Sequence, residues 1–198
     1  MDNIQKTFLM IKPDGVRRSL IGEIIKRLER VGLKMIFAEL IMATQGQARG
    51  NYPGTEVWLR GMGEKTLRGY EGNNEKIIAE LGTNDTLQIG NMIYDKLVEY
   101  LTSGPMLATV WEGNHAVAIA RKIVGATRPQ EADIGSIRAD FGFDSPQLAI
   151  RSGRIAMETL VHVSDSVEEA EREIEYWLKK SFRPMKYART DHYGYGII

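Results

Sequence analysis

"TFLMIKPDGVRRSLIGEIIKRLERVG", Thr7 to Gly32, changes its hydrophobic period part-way along, and that change sets the architecture. Thr7 to Ile11 is a short unbroken apolar run, which suits a buried strand. "KPDG" closes it, because Pro13 fixes one backbone dihedral and Gly15 accepts a positive one. From Ile21 the apolar residues Ile24, Ile25, Leu28 and Val31 recur at helical spacing, with Gly32 as a C-terminal stop. The stretch therefore reads strand, tight turn, helix. "LKMIFAELIM", Leu33 to Met42, follows so closely that a second strand is the better reading of its apolar content.

Working outward, "MLATVWEG", Met106 to Gly113, is a third strand. "NHAVAIARKIVG" follows as a helix that Asn114 caps and Gly125 ends, with Val117, Ala120 and Val124 on one face. "TLVHV", ending at Val163, is the fourth strand. Ser166 and Glu169 form a capping box for a last helix whose Val167, Ala170, Ile174, Trp177 and Leu178 make an apolar stripe. Strand, helix, strand, strand, helix, strand, helix is an α+β order that suits helices on one face of a mainly antiparallel sheet. Thr44 to Gly90 is glycine-interrupted, with helix-like pieces around Glu64 to Tyr70 and Asn74 to Leu81, and reads as an elaboration rather than a second domain. Ala126 to Gly153 reads as a long loop with little regular structure.

The chain has 198 residues, enough for one main core. Lys plus Arg and Asp plus Glu both number 26, so the net charge is zero and a general polyanion binder such as a nucleic-acid protein is not expected. A few positioned cations can still bind a small anion. The absence of cysteine excludes disulfides, thiolate metal sites and cysteine nucleophiles. The opening "MDNIQKTFLMIKPDG" lacks a signal-peptide core, and no uncharged apolar stretch reaches about 18 residues, so a cytoplasmic protein off the membrane is expected.

Of three histidines, His162 closes an apolar run just before a well-signalled helix. Period two puts Leu160, His162 and Ser164 on one face of that strand and Val161 and Val163 on the other. Glu173 lies at the margin of the last helix's stripe, between Ala170 and Ile174, and an inward carboxylate needs a partner. Two readings stand: a core histidine satisfied by hydrogen bonding, or a carboxylate-oriented imidazole whose second nitrogen is a nucleophile. His115 and His192 read as solvated. Lys12, at a strand end, is either a snorkelling lysine or an ammonium held at the sheet edge. Arg121 falls one helical turn after Val117, and Arg138 interrupts "GSIRADF". Taken with a nucleophile, such cations suit phosphoryl transfer, which asks chiefly for positioning and fixed positive charge. No GxxxxGK[ST] loop, GxGxxG or His/Asp metal cluster is present in the sequence.

Together "TFLMIKPDGVRR", "LIGEIIKRLERVGLK", "YLTSGPMLATVWEGNHAV", "RKIVGATRP", "GSIRADF" and "LVHVSDSVEEAEREI" resemble the nucleoside diphosphate kinase family, in a form with an enlarged segment after the second strand. The resemblance implies a ferredoxin-like βαββαβ fold: a four-stranded antiparallel sheet with helices on one face, plus a helical insertion at about 44–93 and a C-terminal tail at about 180–198 of a single domain spanning 1–198. It implies a homo-oligomer, a hexamer or else a dimer or tetramer. It also implies Mg²⁺-dependent ping-pong exchange of the γ-phosphate between nucleoside tri- and diphosphates, with broad base specificity. By motif position His162 is the residue phosphorylated, Glu173 orients it and Ser164 supports that contact. Lys12, Arg121, Thr127 and Arg138 hold phosphates, and Mg²⁺ arrives on the nucleotide with no direct protein ligand.

Three positions depart from the family pattern. Thr159 replaces an asparagine that serves the nucleotide, and a threonine hydroxyl reaches less far. Val163 and Ala139 replace glycines and add bulk near the site. These departures motivate a second hypothesis, a nucleotide-binding or phosphohistidine-carrying regulator with weak exchange. Tyr52 and Tyr94 are candidates for stacking on the base.

Overall fold

The computed structural model of the chain describes residues 3–189. Four strands form one sheet: β1 (Ile4–Ile11), β2 (Lys34–Ile41), β3 (Met106–Asn114) and β4 (Val161–Val163). Their spatial order is β2-β3-β1-β4, with every neighbouring pair antiparallel. The helices, in chain order, are α1 (Pro13–Arg17), α2 (Ile21–Arg30), α3 (Gln45–Gly50), α4 (Glu56–Arg68), α5 (Asn74–Leu81), α6 (Thr86–Thr102), α7 (Ala116–Val124), α8 (Ile137–Phe141), α9 (Pro146–Arg151) and α10 (Val167–Leu178). This is the expected ferredoxin-like α+β arrangement.

The apolar run of β1 is continuous because both faces of the strand are covered. Leu9 and Ile11 pack with Ile24 and Leu28 of α2, Ala120 and Val124 of α7, and Trp111. Phe8 and Met10 face the other way, onto Val98 and Leu101 of α6 and Ile174, Trp177 and Leu178 of α10. Each such buried side chain contributes about 1.5–3 kcal/mol relative to exposure. Helices were expected on one face only. The two helices of the βαββαβ unit, α2 and α7, do share a face, while α3, α6 and α10 cover the second.

Between β2 and β3, α4 and α6 cross at unusually short range. A Cβ on Gly63 would stand 2.0 Å from the Thr86 carbonyl oxygen, and one on Gly90 would stand 2.1 Å from that of Leu59. Glycines that looked like interruptions in sequence thus let two backbones touch. A third cluster, around Tyr70, Ile77, Leu81, Ile89, Ile93 and Ile150, ties α5 and α6 to α9.

Three local expectations are corrected. Asn114 ends β3, and it is His115, with φ 48°, that precedes α7 without a side-chain cap. The segment 126–153 is not irregular: it holds a 3₁₀ turn at Pro129–Glu131, then α8 and α9, whose first turns are capped by the hydroxyls of Ser136 and Ser145. At α10 only half of the capping box forms. Ser166 accepts from the Glu169 amide, but the Glu169 carboxylate turns to Arg172. Residues 185–187 run beside edge strand β2, where Met185 N–H donates to the Ile36 carbonyl at 2.8 Å and the Tyr187 hydroxyl to that of Met35. His192 and the rest of the tail beyond residue 189 lie outside the described residues.

Candidate active site

β4 is only three residues long, and His162 is its middle residue, opposite Met10 of β1. Across from it, α10 buries Glu173 by packing Ile174 and Trp177 into the core. That helix is anchored at its far end, where the Trp177 indole donates to Asn51 at 3.1 Å and the Tyr176 hydroxyl to the Gln47 carbonyl at 2.8 Å. The result is a 2.5 Å contact between His162 Nε2 and Glu173 Oε1. The second carboxylate oxygen accepts from Ser164 Oγ at 2.6 Å, and the Ser164 amide is itself fixed to the Phe8 carbonyl. Because a carboxylate can only accept, Nε2 is the nitrogen that carries the proton, and in the neutral ring the lone pair is then on Nδ1. The histidine side chain is 31% exposed and the glutamate 3%.

His162 opens onto a cleft of about 890 Å³ that Arg121, Thr127 and Arg138 also line. Two cations, Arg121 and Arg138, and the imidazole thus border one cleft. The Arg121 guanidinium is 48% exposed and paired with Asp165, a residue the sequence reading passed over although it lies three positions beyond the histidine. Arg138 is buried, and its guanidinium donates to three carbonyls, Gly125 at 2.8 Å, Val161 at 2.7 Å and Thr159 at 3.2 Å. Burial, reinforced by Arg121, lowers its pKa to about 10, so it remains a cation at neutral pH. Three of its five N–H groups are engaged by backbone, which leaves two for a ligand.

Lys12 and Thr159 are not among the residues lining that cleft. They meet each other instead, Lys12 Nζ donating to Thr159 Oγ1 at 2.9 Å, with Arg138 holding the Thr159 carbonyl. Burial, and next the nearby Arg138 charge, lower the Lys12 pKa from 10.5 to about 8, while Asp14 opposes the shift.

Leu160 does not share a face with His162 as period two required. Its φ is +63°, and Val161 N–H donates back to the Thr159 carbonyl at 2.7 Å, a γ-turn that throws Leu160 into the same cluster as Val161 and Val163. A non-glycine residue there costs about 1–3 kcal/mol and persists only where its surroundings hold it. They do: Leu160 N–H donates to Asp14 Oδ2 at 3.0 Å, and its carbonyl accepts from the Lys12 amide at 2.8 Å.

Val163 lines the cleft, as its bulk suggested, whereas Ala139 sits in α8 away from it. Tyr52 and Tyr94 are likewise absent from its lining and cluster with Trp58, Tyr52 stacking on the indole at 5.8 Å. His115 is exposed, its Nε2 3.1 Å from the Asn3 amide. Among the described residues no group of three or more His, Cys, Asp or Glu is gathered to hold a metal ion. No helix of the described residues is long and apolar enough to cross a membrane.

Comparison with known proteins puts this geometry in context. A model described as "Nucleoside diphosphate kinase" matches residues 5–57 and 86–182, leaving most of α4 and all of α5 between the two matched pieces. A nucleoside diphosphate kinase of Pyrobaculum aerophilum is 45% identical over 177 residues, which is 89% of this chain and 96% of that protein. One from Staphylococcus epidermidis is 36% identical over 90% of each chain. Among solved structures, an NDP kinase from Pyrobaculum aerophilum superposes with a TM-score of 0.81 at 43% identity, over 89% of this chain and 97% of that one. A transition-state mimic of the Borrelia burgdorferi enzyme, with bound vanadate and ADP, reaches 0.71 at 28% identity, over 96% and 95%.

Proposed function

This chain belongs to the nucleoside diphosphate kinase family, and we propose that His162 is the side chain through which it exchanges the γ-phosphate between nucleoside tri- and diphosphates. The observation that carries the assignment is the Nε2 contact to Glu173, which leaves Nδ1 as a lone-pair nucleophile on a cleft lined by cations. In the first half-reaction Nδ1 attacks the γ-phosphorus. A P–N bond forms, the bond to the β,γ-bridging oxygen breaks, and the diphosphate leaves with that electron pair. In the second half a terminal β-phosphate oxygen of another nucleoside diphosphate attacks the phosphorus, and the P–N electrons return to the ring.

Each neighbouring residue has a distinct part in this reading. Glu173 holds the tautomer and offsets the positive charge that grows on the ring as phosphorus is attacked, with Ser164 steadying its second oxygen. Arg121, Thr127 and the two free N–H groups of Arg138 receive phosphate oxygens. Lys12, through Thr159, sets the positive field at the strand end. Nucleotide kinases of this family generally use a divalent metal, which we read as Mg²⁺. The carboxylates on the cleft, Asp133, Asp165 and Glu168, are dispersed along its lining, a donor set that fits an ion carried by nucleotide phosphates rather than an all-protein cage. Such an ion would neutralise charge on the β- and γ-oxygens. We further propose a single domain with an insertion at about 44–93, assembly into a hexamer or smaller oligomer, and a cytoplasmic setting.

The test is direct. Purified protein incubated with γ-labelled ATP should take up acid-labile label and pass it to GDP, and His162→Ala should take up none while keeping its fold. Undiminished labelling of that variant would refute the assignment.

A further inference from the structure

Tyr100 belongs to α6, the last helix before β3, yet its side chain reaches three residues behind the site: Lys12, Asp14 and Thr159. It is buried, and its hydroxyl donates to Asp14 Oδ1. The same oxygen accepts from the Thr159 amide at 3.3 Å. Asp14 uses its other oxygen for the Leu160 amide, the residue held at positive φ immediately before the histidine strand. The Lys12 ammonium stands 5.5 Å from the centre of the Tyr100 ring while donating to Thr159 Oγ1. Burial, and then the adjacent Asp14 carboxylate, push the phenol pKa well above its ordinary value, so it stays a donor at any working pH.

We propose that Tyr100 is a positioning residue for phosphoryl transfer: its ring seats the Lys12 ammonium, and its hydroxyl joins Asp14 to the Thr159–Leu160 turn, so that the cation and the His162 strand move as one piece. The proposal rests on the reading above that Lys12 and His162 serve the phosphates. Its physical basis is economy of contact, since one side chain meets Asp14, which holds the left-handed Leu160, Thr159 just before that residue, and the Lys12 cation beside them. Without the hydroxyl, the buried Thr159 amide loses its acceptor and Asp14 one of its donors. Without the ring, the ammonium loses a face that favours its charged form. The ionisable groups acting on Lys12 are Arg138 from α8 and Asp14 from α1, and Tyr100 itself feels Asp14 and Glu158.

The experiment compares wild type, Tyr100→Phe and Tyr100→Leu as full-length protein, recording kcat, KM for ADP and kcat/KM from pH 6 to 10 (a range of about four units around the Lys12 value), with the folded fraction checked by thermal unfolding. Phe keeps the ring and should lower kcat about tenfold with little change in KM, as a slightly displaced reacting group does. Its alkaline limb should stay at the wild-type position. Leu should lower kcat at least as much and move that limb down by about half to one pH unit. Wild-type kcat in Phe, or an unmoved limb in Leu, overturns the proposal, and so does a loss that vanishes when rates are normalised to folded protein. Lys12→Arg separates the layers, since arginine titrates well above the Lys12 value of about 8. A limb that persists near pH 8 in that variant would instead overturn the assignment of Lys12, and with it this inference.

Discussion

Replacing Glu173 by glutamine isolates what the carboxylate charge does. The amide that results can still accept from Nε2–H through its carbonyl and can donate to Ser164 Oγ, so the ring tautomer and the geometry survive while the charge is lost. With 2.5 Å between Nε2 and Oε1, a full unit pair at an effective dielectric of about 20 is worth about 6–7 kcal/mol. If roughly half a charge has developed on the ring when phosphorus is attacked, about 3 kcal/mol of transition-state stabilisation disappears, or about two orders of magnitude in rate. Rapid-quench measurement of the first turnover with γ-labelled ATP reads this step without product release. The predicted rate constant falls about a hundredfold with unchanged thermal stability, and Glu173→Ala should fall at least as far. A glutamine variant within twofold of wild type would show that the carboxylate supplies orientation alone.

Further outcomes follow from the same geometry. The folded chain releases the Lys12 proton at about pH 8 and the unfolded chain at its ordinary 10.5, so the unfolded state binds more protons between those values and stability rises with pH across that window. Activity runs the opposite way, falling above about pH 8 as the ammonium is lost, and both trends should vanish in Lys12→Arg, read by kcat/KM profiles and urea midpoints. Gly90→Ala drives a Cβ to 2.1 Å from the Leu59 carbonyl oxygen, so separation of α4 and α6 should cost about 1–3 kcal/mol and lower Tm by roughly 2–12 °C in calorimetry. Arg138→Lys cannot reproduce a fork onto three carbonyls and should lose both stability, by about 2 kcal/mol or more, and labelling of His162. Wild-type stability in that variant would show that the carbonyls of Gly125, Thr159 and Val161 do not need the guanidinium.

The βαββαβ frame was legible because its signals are local: the run Thr7 to Ile11, the helical spacing from Ile21 to Leu28, and Ser166 before the stripe of α10. The His162–Glu173 pairing was also within reach, since an acidic residue at the margin of a buried stripe demands a partner. Leu160 was not. Its left-handed backbone is imposed by Asp14, 146 positions away, and no local pattern in "TLVHVS" announces it. Tyr100 hid for the same reason, as one aromatic among the apolar residues of a long helix. Other features were missed although their signals were present. Ser136 and Ser145 are ordinary N-caps, the second followed by Pro146 at the first helical position, and they foretold α8 and α9. Gly63 and Gly90 were read as breaks because a sequence cannot distinguish a flexible glycine from one that admits a neighbouring backbone.

The central claim, a ring held through Nε2 so that Nδ1 accepts the phosphoryl group, can be settled by the position of the new bond. The protein, phosphorylated with ATP and freed of nucleotide, is to be studied by heteronuclear phosphorus–proton NMR, with His162→Ala as reference. The expected result is one phosphohistidine, at His162, bonded through Nδ1. Phosphorus on Nε2, or on any other side chain, would contradict it.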